Sequence, residues 1–337
     1  MKSNSTQQSP VITIIGGGSW ATAIVKILSE GDVHIRWWLR NPTDVEYIRK
    51  FGHNPNYLSD VQISRRKVRT FHQMSKALTG STHIILAIPA AFIQEAVHIL
   101  KPGHLADRVI ISAIKGVIPD DNLLITDWVE QQFGVAQDQM CVIAGPCHAE
   151  EVALEKQSYL TIASTDLVQA AHFAKIINCR YVQAHATEDI YGVEYCAVMK
   201  NIIALACGIA HGLNYGDNFQ AVLVSNALQE IKRFLDAVDP MSRDLMGSAY
   251  LGDLLVTAYS QFSRNRTFGN MIGRGYSVKS AQVEMNMIAE GYYAVKSIHT
   301  INKKYGVHMP ITTATYRILY EKSSPATEIQ TLKSYLR

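Results

Sequence analysis

The sequence predicts an α/β fold in its first part, with a doubly wound, mostly parallel β-sheet, followed by an all-helical second part. Three observations predict this fold. Short β-branched apolar runs alternate with stretches of helical spacing up to about residue 187. The first run leads directly into a glycine-rich turn. From residue 188, segments rich in Ala, Leu and Met show helical periodicity. We therefore expect two domains, 1–187 and 188–337.

The predicted elements follow one another in a regular order. Strands are predicted at the apolar, β-branched runs 11–15, 34–39, 83–88, 108–114, 140–144 and 159–163. Helical spacing places helices between some of these strands, at 20–28 and 92–100. In the second part, periodicity predicts helices over 188–210, 221–238, 251–262 and 283–305.

The composition excludes several classes of protein. A hydrophobic fraction of 47% with a net charge of +3 is unlike a disordered chain or a nucleic-acid-binding domain. Only 18% of the residues are charged, against the ~25% usual for soluble domains. A large core or a subunit interface would account for this low fraction. We therefore expect a homodimer with no nucleic-acid partner.

Compartment and metal content are inferred from the same sequence. The segment 1–10 is polar and lacks the apolar core of a signal peptide, and the apolar stretch 195–210 is interrupted by Lys200 and Asn201. The five cysteines include no C-x-x-C pair, and the histidines lack ligand spacing. These observations favour a cytoplasmic protein without membrane insertion and without a metal site.

The turn after the first predicted strand has the G-x-G-x-x-A pattern of a Rossmann-like dinucleotide-binding fold. Gly16 is expected to make the tight turn, and Gly18 lets a pyrophosphate approach the backbone. Ala21 is small enough for the following helix to pack on the strand. The free N–H groups at the start of that helix would then face the phosphates. A glycine-rich turn without a chemical role is the alternative.

The residue after the second predicted strand distinguishes between the two nicotinamide dinucleotides. NAD-specific sites place Asp or Glu there to bind the ribose 2′-hydroxyl, but this chain has Arg40. A guanidinium can bind the 2′-phosphate of NADPH. We therefore expect NADPH to be preferred, with NADH as the other cofactor that the turn would accept. An ordinary surface arginine is the alternative interpretation.

Two lysines occupy positions that suit proton transfer or anion binding. Lys115 follows the predicted strand 108–114, at the edge where open α/β sheets bind ligands; a solvated loop lysine is the alternative. Lys200 lies on a predicted helix among apolar or small residues, where burial would lower its pKa toward neutrality. Its alternative is a lysine whose ammonium reaches water from the edge of the core.

Two further segments provide candidate partners. Asp253 is an acid among apolar neighbours, and Lys200 is its candidate partner, although a simple helix cap is the alternative. Arg264 and Asn265 follow Ser263 and can together hold a phosphate, whereas an ordinary polar helix end is the other interpretation.

Read together, these segments resemble the NAD(P)-dependent glycerol-3-phosphate dehydrogenases of the bacterial type. The resemblance extends from about residue 11 to residue 320. It implies reduction of dihydroxyacetone phosphate to glycerol 3-phosphate, the precursor of the phospholipid backbone. The matching segments, in order, are GGGSWATA (16–23), WLRN (38–41), HNPNYLSDV (53–61), ISAIKG (111–116), AGPCHAEEVA (144–153), GVEYCAVMKNIIALACGIAHGLNYGDN (192–218), LGDLLVT (251–257), SRNRTFG (263–269) and AEG (289–291).

The resemblance implies a role for each matching position. Lys200 would be the proton donor and acceptor. The implied substrate-site positions are Lys115, Gly145, Cys147 and Asp253, together with a phosphate-binding segment of Ser263, Arg264 and Asn265. The implied cofactor contacts are Ser19, Trp20, Arg40, His53, Tyr57, Lys115, Ala149, Arg264, Ile288 and Glu290.

Cys147 and Tyr250 are the main departures from the family's pattern, and Ala21 in place of the third glycine is a mild one. Cys147 stands where the family usually has Ser or Thr, and a thiol is a weaker hydrogen-bond partner than a hydroxyl. Beside a lysine and a phosphate, this thiol is also a candidate for a depressed pKa. Tyr250 stands where the family commonly has Gly, and its ring is expected to alter the packing beside the site.

Two other functions fit parts of the sequence. Another two-domain hydroxyacid dehydrogenase would not need the pair Arg264 and Asn265. A non-catalytic dinucleotide-binding sensor would not need Lys115, Lys200 or Asp253.

Overall fold

The described residues form one eight-stranded sheet, covered by helices on both faces, and continue into a helical part. The computed structural model describes residues 9–285 and 289–337. The strands, in chain order, are β1 (Val11–Ile15), β2 (His34–Trp38), β3 (Val68–Phe71), β4 (His83–Leu86), β5 (Val109–Ser112), β6 (Met140–Ala144), β7 (Ser158–Ala163) and β8 (Val182–Thr187).

The order of strands across the sheet is β3-β2-β1-β4-β5-β6-β7-β8. Strands β1 to β6 are parallel, β7 is antiparallel to β6, and β8 is parallel to β7. The predicted doubly wound, mostly parallel sheet is therefore confirmed. The strand order reverses between β1 and β4, and ligands of such sheets bind outside the carboxyl ends of the strands at this point.

Helices connect the strands and build the second part. Those in the first part are α1 (Ser19–Glu30), α2 (Pro42–Phe51), α3 (Met74–Leu78), α4 (Ala90–Val97), α5 (Ile125–Phe133), α6 (Ala149–Ala153) and α7 (Leu167–Ile177). Those that follow are α8 (Ile190–Gly212), α9 (Asp217–Val238), α10 (Asp253–Tyr259), α11 (Arg264–Gly273), α12 (Val278–Glu284), α13 (Glu290–Tyr305), α14 (Pro310–Tyr320) and α15 (Pro325–Leu332). Apolar clusters fill both faces of the sheet and the interior of the helical part.

The structure differs from the sequence-based prediction in four elements. Strands β3 and β8 were not predicted, because polar residues alternate with apolar ones in both. The helix expected over 251–262 is shorter: a π-helical turn, Ser248–Gly252, leads into α10. The prediction of a helix over 283–305 is wrong at its start, since α12 ends at Glu284 and α13 begins at Glu290.

Helix α8 forms the centre of the helical part. It is buried along most of its 23 residues and packs against α9, α10, α11, α13 and α14. By length and composition it is also apolar enough to cross a membrane, although the apolar stretch 195–210 was expected to be too interrupted. In the structure it is a core helix, with 94% of its most apolar window buried.

A buried carboxylate on α8 fixes the helix to the first part of the chain. Glu194 is fully buried and accepts hydrogen bonds from the backbone N–H of Ile125, at 2.9 Å, and from the hydroxyl of Thr126, at 2.6 Å. These groups form the N-terminus of α5, whose free N–H groups attract negative charge. Burial raises the pKa of Glu194 to about 7.

Glycines allow α8 and α11 to cross with their backbones in contact. A Cβ on Gly208 would lie 2.2 Å from the carbonyl oxygen of Arg266, and one on Gly269 would lie 2.2 Å from that of Leu205. The same close approach recurs one turn along both helices, at Gly212 and Gly273. Since Lys200 lies on α8 and Arg264 begins α11, this crossing also sets the spacing between these two predicted site residues.

We expect Gly269→Ala to lower the free energy of unfolding by about 1–3 kcal/mol, because the new methyl group has no room. The loss should appear even though alanine is intrinsically favoured over glycine in a helix by about 1 kcal/mol. Urea unfolding followed by circular dichroism measures it. Gly103→Ala is the matched control, since a Cβ there meets no atom within 4 Å. Equal unfolding midpoints for the two variants would contradict the backbone contact.

Candidate active site

The predicted dinucleotide turn lies at the carboxyl end of β1. Gly16 has a φ of +137°, and a Cβ there would lie 2.2 Å from the carbonyl oxygen of Ala87, so the turn requires glycine. A Cβ on Gly18 would meet no atom within 4 Å, so there is open space in front of this backbone. Helix α1 begins at the next residue, Ser19, which places a helix N-terminus beside this space.

The loop that contains His53 and Tyr57 packs against this turn. The side-chain amide of Asn54 donates a hydrogen bond to the carbonyl oxygen of Gly17, at 3.0 Å. Asn54 was not among the predicted site residues, although it lies in one of the matching segments. The indole Nε1–H of Trp20 and the Nδ1 atom of His53 are buried without a hydrogen-bond partner in the described part of the chain. Buried polar groups are rarely left unpaired, so a dinucleotide bound here would meet groups able to pair with it.

Three further predicted cofactor positions lie at or just before the start of a helix. Arg40 is exposed and lies between β2 and the first turn of α2. Ala149 begins α6, which packs against α1. Glu290 begins α13. Ile288 lies outside the described residues.

Three charged side chains meet at the carboxyl edge of the sheet. Asp253 is 1% exposed and forms an ion pair through Oδ1 with the ammonium of Lys200, which is also buried. The other oxygen, Oδ2, lies 3.6 Å from the ammonium of Lys115. The pairing of Lys200 with Asp253 is as the sequence predicted. Buried carboxylates require such partners, because an unpaired charge is costly to bury.

Backbone groups complete this cluster. The N–H of Gly145 donates to Oδ2 of Asp253 at 3.3 Å, and the ammonium of Lys115 donates to the carbonyl oxygen of Gly145 at 3.5 Å. The side-chain amide of Asn201 donates to the carbonyl oxygen of Lys115 at 2.9 Å. Sequence reasoning noted Asn201 only as a polar interruption of α8. Its position next to Lys200 is the signal that could have identified it.

The two lysines have pKa values shifted in opposite directions. Burial lowers the pKa of Lys200 to about 7; the neighbouring Lys115 cation also lowers it, while Asp253 opposes the shift. Burial also disfavours the charged form of Lys115, but the charge of Asp253 and other neighbours outweighs it, and the pKa of Lys115 is raised. One lysine can therefore exchange a proton near neutral pH while the other stays cationic.

Lys115 also connects this cluster to the glycine-rich turn. Its ammonium lies 5.6 Å from the centre of the Trp20 ring, within the range of a cation–π interaction. Trp20 lies in the first turn of α1, beside the open space at Gly18. The structure thus brings the predicted cofactor turn and the buried charge cluster together.

Cys147 is not the activated thiol that was considered from the sequence. Its side chain is 8% exposed, and burial raises the pKa of the thiol to about 12, despite the opposing effect of Lys115. The candidate for a depressed pKa is therefore wrong. Burial could not be read from the sequence, and it outweighs the nearby positive charge.

The segment from Ser263 to Asn265 begins a helix rather than ending one. The Ser263 hydroxyl accepts a hydrogen bond from the backbone N–H of Arg266 at 3.3 Å and caps α11. Asn265 is buried, and its Oδ1 accepts the backbone N–H of Gly291 at 2.9 Å, which holds the start of α13 against α11. Burial raises the pKa of Glu290, and the positive charge of Arg264 opposes this shift.

Tyr250 takes part in a buried ionic network just before Asp253. Its hydroxyl donates to Oδ2 of Asp189 at 2.5 Å, and Arg243 binds the same carboxylate through two nitrogens, at 2.7 and 3.0 Å. The other oxygen of Asp189 caps α8 by accepting the N–H of Gly192 at 2.9 Å. The bulky ring thus joins the π-helical turn before Asp253 to the N-terminus of the helix that contains Lys200.

Among residues 9–285 and 289–337, no three His, Cys, Asp or Glu side chains form a cluster able to hold a metal ion.

Comparisons with known proteins identify relatives over almost the whole chain. Residues 11–170 match the family model of the NAD-dependent glycerol-3-phosphate dehydrogenase N-terminus, and residues 189–330 match that of its C-terminus. A glycerol-3-phosphate dehydrogenase [NAD(P)+] from Oceanobacillus iheyensis is 31% identical over 95% of this chain and 93% of its own length. One from an Exiguobacterium species is 34% identical over 95% of this chain and 94% of its own length.

Several solved structures share the fold of this chain. A glycerol-3-phosphate dehydrogenase from Coxiella burnetii has a TM-score of 0.90 and 30% identity, and covers 96% of this chain and 98% of its own. One from Saccharomyces cerevisiae has a TM-score of 0.82, with 24% identity over 96% of this chain and 99% of its own, and supports the fold alone. A D-mandelate dehydrogenase at 16% identity and a TM-score of 0.61, covering 93% of this chain and 98% of its own, likewise shows only a shared fold.

Proposed function

This chain belongs to the NAD-dependent glycerol-3-phosphate dehydrogenase family, and we propose that it catalyses the reversible, NAD(P)H-dependent reduction of dihydroxyacetone phosphate to sn-glycerol 3-phosphate. This product supplies the backbone of glycerophospholipids. The observation that carries the proposal is the cluster of buried Lys200 and Asp253 with half-buried Lys115, next to the glycine-rich turn. Such a cluster suits the reduction of a carbonyl group, which needs both a proton donor and a fixed positive charge.

The proposed chemistry assigns a task to each member of the cluster. A bound reduced nicotinamide supplies the hydride that is transferred to C2 of the substrate. Lys200 donates a proton to the oxygen of that carbon and accepts it in the reverse direction, for which a pKa of about 7 is suited. Lys115, which stays cationic, stabilises the developing negative charge on the oxygen. Asp253 holds both ammonium groups in position.

The substrate's phosphate is proposed to bind Ser263, Arg264 and Asn265. These residues form the N-terminus of α11, where free N–H groups favour an anion, and Arg264 adds a positive charge. Binding energy from the phosphate would then fix the reacting carbonyl beside Lys200. Gly145 and Cys147 are proposed to line the substrate site with neutral groups, since the thiol stays protonated.

The cofactor is proposed to bind across the glycine-rich turn, with its pyrophosphate at Gly16, Gly18 and the start of α1. The further proposed contacts are Ser19, Trp20, Arg40, His53, Tyr57, Lys115, Ala149, Arg264 and Glu290. The unpaired groups of Trp20 and His53 support this placement. Arg40 favours NADPH over NADH, because its guanidinium can bind a 2′-phosphate.

We further propose a cytoplasmic homodimer whose two domains meet near residue 188. The helical part has exposed apolar side chains at Val222, Leu255, Tyr259 and Phe262, which a second subunit could cover. Strand β8 ends at Thr187 and α8 begins at Ile190, which supports the proposed boundary. Sedimentation equilibrium at micromolar concentration tests the dimer, and a monomer there would contradict it.

We expect Lys200→Met to lower kcat by about 10²-fold or more, because the variant keeps the side-chain length but has no proton to donate. Reduction of dihydroxyacetone phosphate is followed by the loss of NADPH absorbance. Fluorescence titration with NADPH should give an unchanged dissociation constant, which also shows that the variant is folded. Lys232→Met, at an exposed lysine of α9, is the control and should retain wild-type turnover. A kcat for Lys200→Met close to that of the wild type would exclude Lys200 as the proton donor.

The same assignment predicts opposite pH profiles in the two directions. Lys200 is protonated below its pKa of about 7, so kcat/KM for carbonyl reduction should fall as the pH rises through 7. For oxidation of glycerol 3-phosphate, kcat/KM should rise over the same interval, since the neutral amine is the base. Profiles with the same slope in both directions would argue against this role.

Arg40→Ala should lower kcat/KM with NADPH by about tenfold and leave that with NADH nearly unchanged, because one charge-assisted contact is lost. Steady-state kinetics with each cofactor measure the ratio. Arg274→Ala, at another exposed arginine, is the control. An unchanged ratio would show that Arg40 does not contact the 2′-phosphate.

A further inference from the structure

A second concentration of positive charge lies at the free edge of the sheet. Strand β3 is the outermost strand, and a cavity of about 390 Å³ lies against it. Four arginines line this cavity: Arg36, Arg49, Arg65 and Arg69. None of the residues that line it is acidic.

Three of the four guanidinium groups bind neutral oxygens rather than carboxylates. Arg36 donates to the carbonyl oxygens of Ala77, at 2.8 Å, and of Lys76, at 2.5 Å. Arg49 donates to the hydroxyl of Thr70 at 3.2 Å and to its carbonyl oxygen. Arg65 donates to another backbone carbonyl, that of Lys50. These contacts fix the guanidinium groups but leave their charge uncompensated.

Like charges in this cavity face each other. No ion pair joins any of the four arginines to an acid within residues 9–285 and 289–337. Burial lowers the pKa of Arg36, and the neighbouring charge of Arg69 lowers it further. A bound anion would relieve this repulsion, because arginine's planar donor fork matches phosphate and carboxylate oxygens.

The wall of the cavity is apolar. Ile48 and Ile63 line it, as does Phe71, whose ring lies under the Arg36 guanidinium with 4.4 Å between Cζ and the ring centre. Ligand sites of about 300–1,000 Å³ typically combine such apolar walls with a few fixed polar groups. We propose that this cavity, the β3 arginine pocket, binds a small phosphorylated metabolite with at least two negative charges and an apolar body.

The β3 arginine pocket is separate from the proposed active site. Arg36 binds the last carbonyls of α3, which ends at Leu78 shortly before the amino end of β4 at His83. None of the residues that line the pocket is among the proposed substrate or cofactor positions. The proposal is therefore independent of the proposed function. The other explanation for the arginines is that they only protect an exposed strand edge from pairing with another chain.

Calorimetric titration of the full chain with inorganic pyrophosphate tests the proposal. Saturating NADPH and glycerol 3-phosphate are present throughout, so that the proposed active site is filled. We expect one binding site, and an affinity at least tenfold higher than for chloride at matched ionic strength. No binding at millimolar pyrophosphate, or equal binding of chloride, would overturn the proposal.

Charge reversal at Arg69 locates the site. Its side chain is exposed and forms no hydrogen bond in the described chain, so Arg69→Glu should fold while placing a carboxylate near Arg36. We expect this variant to lose at least tenfold in pyrophosphate affinity. Arg274→Glu, with the same charge change at an exposed arginine of the helical part, should keep wild-type affinity. An equal loss of pyrophosphate affinity in both variants would mean that the protein's net charge, and not this pocket, determines binding, and would overturn the proposal. Unchanged binding in Arg69→Glu, with new self-association, would show that the arginines only protect the strand edge.

Discussion

The buried carboxylate of Asp253 is the constraint on which the geometry of this site depends. It pairs with Lys200 from α8 and with Lys115 from the loop after β5, and it accepts the N–H of Gly145 after β6. Removing Asp253 would leave both ammonium groups without their carboxylate, and a buried charge without its partner is far more costly than the pair itself is stabilising. The sheet and the helical part must therefore be arranged so that these partners converge.

Several features outside the cluster maintain this arrangement. Glu194 ties α8 to α5 in the first part of the chain, and Asp189 caps α8 while binding Arg243 and Tyr250. Both carboxylates are buried and satisfied by several donors, as buried polar groups must be. The helix that presents Lys200 is thus fixed near its start by polar contacts and along its length by packing.

Much of the fold could be predicted from the sequence, and less of the site. Strand β1 and its turn were predicted because a β-branched apolar run and glycine spacing are local signals, whereas β3 and β8 were missed because half of their residues are polar. The pairing of Lys200 with Asp253 was predicted because both are charges within apolar segments. The place of Asn201 and the protonated thiol of Cys147 were not, since they depend on burial and on contacts between distant segments.

The glycine crossing of α8 and α11 has a consequence for substrate selection. Because the two backbones touch at Gly208 and Gly269, the distance between Lys200 and the start of α11 is set by main-chain geometry rather than by adaptable side chains. Under the proposed roles, the site selects substrates by the number of bonds that separate the phosphate from the reducible carbonyl. Molecules that are longer or shorter by one carbon would be rejected by length, even where their end groups are correct.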